Sequence, residues 1–401
     1  MLPVSLPPVS TPKSTAAASG QWTVPLSDVV VDAEMMAAAQ ETLASGWWSM
    51  GPRVSAFEEQ FAAFSEVKHA IAVANGTAAL HIALLAVGCK SGDEVVLPSL
   101  NFVAAGNTIV HTGATPVFCD VVGERDLNLD ASDLEAAITE RTRAVVLLHY
   151  GGFPCDLDSV VELCRARGIS IVEDAAHAVG SRYQGRPCGS IGDVGCFSFF
   201  SNKNLPIGEG GMLVTDDDEL AKQLRLLRSH GMTSLTWDRH RGHAAGYDVV
   251  LSGFNYRLDE LRAAVGSVQL AKLSERNEAR RLRSVRYREE LDGVDGIVVP
   301  FSDTEDSAHH LAVVVLPSGA QREELRAAMS AEGIQTSVHY PPMHRFTAFS
   351  DSGGRRPLPR TDELAHRILT LPLYAHMLDE QQDAVIEGVL RALKSASATA
   401  D

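Results

Sequence analysis

Short apolar runs alternate along the first half of the chain with longer stretches whose apolar positions recur at helical spacing. Residues 70–74, 94–97, 115–120, 143–148 and 170–173 read as strands, with helices over 78–87, 103–111, 133–138 and 157–167 between them. Runs that are apolar at nearly every position suit strands covered on both faces. The pattern therefore predicts the α/β class, with a large, mostly parallel sheet sandwiched by helices. Upstream, residues 24–64 are helical in pattern with a break at 46–52, and Ser55 followed by Glu58 has capping-box spacing. Downstream, 219–228 reads as a helix and 259–291 as one long charge-rich helix. The pattern restarts near Pro300, with strands at 310–316 and 335–340 and helices at 321–332 and 380–393, a small α+β unit. The expected organisation is a disordered tail over 1–22, a large domain over 23–285, a small C-terminal domain over 286–395 and a short tail over 396–401.

Composition narrows the function. A formal charge of −16 disfavours a broad nucleic-acid or anionic-membrane surface. No apolar run approaches the ~18 residues of a membrane span. Prolines 3, 7 and 8 interrupt any signal-peptide core near the start. Cys89, Cys119, Cys155, Cys164, Cys188 and Cys196 include no C-x-x-C pair, so no metal site or redox motif is expected, and a reducing cytoplasm fits.

Candidate chemistry gathers after the strands. Asn75-Gly76-Thr77 links a strand to a helix, the geometry in which free backbone N–H groups and the helix dipole receive a phosphate. Ligands in such sheets bind beyond the carboxyl ends of the strands, which is where Thr77, Phe102, Asp174 and Lys203 all fall. The run from Asp193 to Met212 delivers Lys203 into a polar loop closed by Gly208-Glu-Gly-Gly211. An amine beside apolar walls resists protonation, and a neutral amine can attack an aldehyde. Lys203 is thus a candidate anchor for pyridoxal phosphate, the alternative being a surface-loop lysine. A carboxylate ending an apolar strand, as Asp174 does, needs a positive partner such as a protonated pyridine nitrogen. His177 is placed to reach the ring's O3′ or Asp174, and Phe102 to stack on the pyridine. Capping, a partly buried histidine and plain core packing are their ordinary alternatives. Arg239, His240, Arg241 and His243, with Trp237 and Tyr247 nearby, form a basic patch suited to a diphosphate and a base, or else a solvated loop. One of Trp47 and Trp48 is a candidate pocket wall.

Several separated motifs agree. Asn75-Gly-Thr-Ala-Ala-Leu80, Gly92-Asp-Glu-Val-Val-Leu-Pro-Ser99, Glu173-Asp-Ala-Ala-His177, Phe197-Ser-Phe199 with Lys203-Asn204, Gly208-Glu-Gly-Gly211 and Gly253-Phe-Asn-Tyr-Arg257 span nearly the whole chain. In this order and spacing the sequence resembles the DegT/DnrJ/EryC1/StrS family of sugar aminotransferases. The resemblance implies a fold-type I enzyme and a homodimer with shared active sites. Carried over, Lys203 is the cofactor-linked lysine and proton carrier, Asp174 pairs with the pyridine nitrogen, Phe102 stacks and His177 lies near O3′. Gly76, Thr77 and Ser198 hold the phosphate, Ala78 is a further cofactor-binding residue, and Asn255 reaches the phosphate of the neighbouring subunit's cofactor. Ser201-Asn202 departs from the Pro with Ser or Thr often found before the lysine, a change of loop packing more than of chemistry.

The family also implies L-glutamate as amino donor, pyridoxamine 5′-phosphate as the second cofactor form, and a nucleotide-linked keto-6-deoxyhexose as acceptor. The insert at 230–247 is similar to the branch making 4-amino-4,6-dideoxyglucose on dTDP in antibiotic biosynthesis. Amination at C4 is the expectation, with the C3 reaction as its rival. Trp48, Ser49, Met50, Arg239, His240, Arg241, Tyr340 and His344 are candidate sugar-nucleotide contacts. A non-catalytic ligand sensor on the same scaffold would need neither an intact Lys203 nor an amino donor. A dinucleotide enzyme would need a G-x-G-x-x-G turn, which Gly208-Glu-Gly-Gly211 is not.

Overall fold

The computed structural model describes residues 22–234, 246–302, 306–350 and 356–400, with backbone alone over 395–400. Arg239, His240, Arg241, His243 and Trp237 lie outside the described residues, as does nearly all of the expected N-terminal tail. The strands are β1 His69–Val73, β2 Glu94–Pro98, β3 Thr115–Cys119, β4 Val121–Gly123, β5 Asp126–Leu129, β6 Thr142–Leu148, β7 Ser170–Asp174, β8 Arg182–Tyr183, β9 Arg186–Pro187, β10 Val194–Ser198, β11 Gly211–Thr215, β12 Ala312–Val315 and β13 Ile368–Leu371.

Seven strands form one sheet in the order β1-β11-β10-β7-β6-β2-β3. β11 runs antiparallel to both of its neighbours, whereas the pairs from β10 to β3 are parallel. Alternate residues feed opposite cores. Ile71, Val73, Val95, Leu97, Val194 and Cys196 pack on one face. Ala70, Ala72 and Phe197 pack on the other, continued by Val96, Val145 and Leu147. Each large side chain fully withdrawn from water contributes about 1.5–3 kcal/mol, so the strand array is the rigid part of the molecule.

The register brings the strand ends into line. Val73 lies opposite Gly211 and Gly211 opposite Ser198, while Asp174 lies opposite both Cys196 and Leu148. One rim thus carries the ends of β1, β10, β7 and β6 and the start of β11. Gly211 must be glycine here, because a Cβ would come within 2.6 Å of the Asn75 backbone and 2.9 Å of Gly76 N.

Several boundaries differ from the sequence expectation. The helix after the tryptophans starts at Pro52, not at a Ser55 cap. Proline suits a first helical position, and the Glu260 carboxylate accepts from Arg53 N and Val54 N at 2.9 Å each, so a distant residue does the capping. Glu58 instead accepts from Ala72 N and pairs with Arg228. The expected single helix over 259–291 is two, Glu260–Ala271 and Leu273–Leu291. At the break, the Lys272 ammonium meets Asp32 at 2.7 Å and Glu34 at 2.6 Å. Residues 335–340 form no strand: Ser337 alone bridges to Thr370, and Pro341 and Pro342, which lack N–H groups, follow. β12 pairs with β13 instead. Val24 packs in the C-terminal core with Leu325, Met329 and Ile334, and Thr23 N donates to Gly333 O at 2.8 Å. The segment at 23–24 thus packs with the C-terminal elements, and residue 286 lies within the Leu273–Leu291 helix.

Candidate active site

Gly76, Thr77, Phe102, Asp174, His177, Ser198 and Lys203 line one cavity of about 420 Å³ on this rim, joined by Asn202 and Tyr340. Its floor begins at the helix Gly76–Ala86, buried from Ala78 to Leu84 and so fixed in place. Asn75 caps it: Oδ1 accepts from Ala78 N at 2.8 Å, and the carbonyl from Ala79 N at 3.1 Å. Of the first four N–H groups, those of Gly76 and Thr77 thus keep no acceptor among the described residues. Ala78, expected among the cofactor-binding residues, gives its N–H to Asn75 and does not line the cavity. A Cβ on Gly76 would sit 2.8 Å from Ser198 Cβ, so the bare glycine keeps helix start and strand end together.

Asp174 is 4% exposed at the end of β7. Burial raises its pKa, opposed by the Ala176 N–H and by Lys203 and Asn101. Such a carboxyl gains from a cation placed against it. Its neighbour Glu173 faces the other way and is fully buried. There it accepts from Gly189 N, Ile191 N and Gly192 N at 2.7, 2.7 and 2.5 Å and from His149 Nε2 at 3.0 Å. These donors outweigh burial and hold Glu173 below the usual carboxylate range. Sequence reasoning missed this support, although two successive carboxylates in an apolar strand announce that each face needs a partner.

Lys203 sits in the loop between β10 and β11, its N–H donating to Phe200 O at 2.8 Å. Leu205, fully buried, and Ile207 N, bonded to Phe199 O at 2.9 Å, pin the loop. Burial pulls the Lys203 ammonium down to about 8, against the attraction of Asp174. Its Nζ lies 3.5 Å from His310 Nε2. His310 Nδ1 is 2.9 Å from Asn204 Oδ1, an oxygen that can only accept, so Nδ1 carries the hydrogen and Nε2 presents its lone pair to the lysine. Burial and the Lys203 charge keep this imidazole neutral. The sequence held one signal for it, a His-His pair opening a C-terminal apolar run.

His177 is also buried and held neutral, by burial first and by Lys203 second. Gly151 N donates to its Nδ1 at 3.3 Å, which leaves Nε2–H to donate to the Tyr340 hydroxyl at 2.8 Å rather than to Asp174. The Tyr340 ring lies 5.8 Å from that of Phe102, which is 53% exposed and offers a free aromatic face at the mouth. Other expected contacts lie elsewhere. Met50 is buried in the core beside Val54 and Phe57. Trp48 is exposed with Nε1 on Leu43 O at 3.2 Å, and Ser49 is exposed, neither lining the cavity. His344 spends both ring nitrogens on Ser99 Oγ (2.7 Å) and Asp362 (3.0 Å), so it is a structural residue. Asn255 is exposed on its own segment, away from the cavity of its own chain.

The arrangement could hold a phosphorylated pyridine aldehyde: unpartnered N–H groups and a serine hydroxyl at one end, a buried carboxyl at the other, an aromatic face above, and an amine of lowered pKa between. Residues 30–390 match the DegT/DnrJ/EryC1/StrS aminotransferase family. The chain is 42% identical over 381 residues to the spore coat polysaccharide biosynthesis protein SpsC of Bacillus subtilis, covering 93% of this chain and 98% of that one. The structure of DesV from S. venezuelae in complex with a ketimine intermediate superposes with a TM-score of 0.83 at 38% identity, over 90% of this chain and 95% of that one. NtdA from Bacillus subtilis, with bound cofactor PMP, superposes with a TM-score of 0.81 at 27% identity, over 90% and 81%. Among the described residues no helix is long and apolar enough to cross a membrane and no group of side chains is arranged for a metal. The chain belongs to the DegT/DnrJ/EryC1/StrS aminotransferase family, as a fold-type I sugar aminotransferase whose cofactor is pyridoxal 5′-phosphate, alternating with pyridoxamine 5′-phosphate.

Proposed function

We propose that this chain moves the amino group of L-glutamate to C4 of a nucleotide-linked, dTDP-type 4-keto-6-deoxyhexose, acting in the cytoplasm as a homodimer. The observation that carries the reading is the Lys203 amine, depressed by burial and placed in one cavity with Asp174, Phe102 and the Gly76–Thr77 N–H groups. When bound, pyridoxal phosphate supplies an aldehyde that takes up amines and a ring that withdraws electrons from the carbon bearing nitrogen. Gly76 N, Thr77 N and Ser198 Oγ hold its phosphate. Asp174 keeps the ring nitrogen protonated, and Phe102 fixes the ring plane. Lys203 Nζ accepts the proton from the donor's α-carbon and returns one at the sugar carbon, as general base and then general acid. Asn255, exposed and outside its own cavity, contributes to the phosphate site of a second copy.

SpsC, by its name, serves spore coat polysaccharide, so supply of an amino sugar to a surface polymer stands beside the antibiotic use the 230–247 insert suggests. The test is to load the protein with pyridoxamine phosphate and offer the 4-keto and the 3-keto sugar nucleotides separately. Return of the pyridoxal form with the 4-keto sugar alone supports the reading; return with the 3-keto isomer alone replaces it by the C3 reaction.

A further inference from the structure

Asn101, in the loop that follows β2, is 1% exposed and lines the same cavity as Phe102 and Asp174. Its Oδ1 accepts from Phe102 N at 2.6 Å. A backbone N–H can only donate, so the amide oxygen faces Phe102 and the amino group is turned the other way. That nitrogen, Nδ2, is closed off from solvent and, among the described residues, completes no hydrogen bond. A buried donor left open is costly, and an asparagine that served only to turn the loop would need Oδ1 alone.

Asp174 supplies a reason for the amino group. In the sheet β6 lies between β7 and β2, and Leu148 at its end lines the cavity together with Asn101 and Asp174. Among the described residues the Asp174 carboxyl is met by the Ala176 N–H, at 3.2 Å, whereas Glu173 beside it draws on Gly189, Ile191, Gly192 and His149. Burial is the largest influence on Asp174 and opposes its charge; the Ala176 N–H, Lys203 and Asn101 favour it, in that order. Because Nδ2 has no surface open to a ligand, the Asp174 carboxylate is the acceptor it serves.

We propose that Asn101 is a positioning residue for the cofactor ring. With Oδ1 on Phe102 and Nδ2 turned to Asp174, it ties the stacking residue to the carboxylate and favours the ionised carboxylate that a protonated ring nitrogen requires. This rests on the assignment of Asp174 to the ring nitrogen. The rival is a brace that shapes the loop through Phe102 and does nothing for Asp174.

The experiment measures by equilibrium dialysis the binding of pyridoxal phosphate and of its deaza analogue, in which C–H replaces the ring nitrogen. Wild type, Asn101→Leu, Asn101→Thr, Asp174→Asn and the Asn101→Leu/Asp174→Asn double variant are compared, and thermal unfolding checks that each is folded. Asn101→Leu should weaken pyridoxal phosphate about tenfold and leave the deaza analogue nearly unchanged. Asn101→Thr, which keeps a donor on a shorter arm, should fall between and carries the same comparison should the leucine variant not fold. In the Asp174→Asn background Asn101→Leu should add little, because the two residues act as one unit. The ring-nitrogen resonance of isotopically labelled pyridoxal phosphate should move toward the unprotonated position in Asn101→Leu. Equal losses for the two ligands, a loss for neither, or a loss of the same size in the Asp174→Asn background would overturn the inference and leave Asn101 as a loop brace. If Asp174→Asn itself fails to separate the two ligands, the pairing of Asp174 with the ring nitrogen falls and the inference with it. If Asp174→Asn separates them and the Asn101 variants do not, the role of Asn101 alone is refuted.

Discussion

Cofactor capture by Lys203 should follow a pH curve shifted far from that of free lysine. Burial lowers the ammonium from 10.5 to about 8. At about 1.4 kcal/mol per tenfold change, that is roughly 3 kcal/mol of preference for the neutral amine. At pH 7 an ordinary lysine is neutral about 0.03% of the time, and one with a pKa of about 8 roughly 9%, an advantage of about 300-fold. The assay mixes cofactor-free protein rapidly with pyridoxal phosphate and follows the visible band from about pH 6 to 10. Dividing by the rate for a free alkylamine removes the cofactor's own titration. The normalised rate should level off above about pH 8, and Asp174→Asn should move that inflection lower, because the Asp174 charge holds the ammonium up. A rate still rising tenfold per pH unit through pH 10 would refute burial as the cause of the lysine's reactivity.

Glu173→Ala should destabilise the fold by about 3–5 kcal/mol in urea unfolding, since it strands the donors of Gly189, Ile191, Gly192 and His149. Because the Glu173 carboxyl is depressed in the fold, its contribution is present above about 4.5 and lost as pH falls toward its lowered value, so the variant should also lose part of the wild-type acid sensitivity. Gly76→Ala should weaken cofactor binding at least about tenfold by equilibrium dialysis, because the added carbon meets Ser198 Cβ at 2.8 Å. Mixed dimers of Lys203→Ala and Asn255→Ala subunits should regain one working site, whereas each variant alone stays impaired; no recovery on mixing would remove Asn255 from a partner's site.

Much of the sheet was legible because strands buried on both faces are written as continuous apolar runs. The rim residues were legible for the same reason, since Asp174 and Lys203 follow such runs closely. What escaped was decided by contacts distant in sequence. Glu260 caps a helix some two hundred residues earlier and so cancels the Ser55 signal. The break at Lys272 carries neither Gly nor Pro and answers to Asp32 and Glu34. Met50 and His344 looked like pocket residues by chain position, but the fold spends one on the core and the other on Ser99 and Asp362.

The account turns on Lys203 as the residue that holds the cofactor and moves the proton when the donor's amino group is transferred. The most direct measurement is the absorption spectrum of the purified protein, before and after glutamate, beside Lys203→Ala. The account predicts a visible band in wild type that glutamate bleaches and that the variant lacks before glutamate is added. A band indifferent to both glutamate and the substitution, or none after incubation with pyridoxal phosphate, would contradict it.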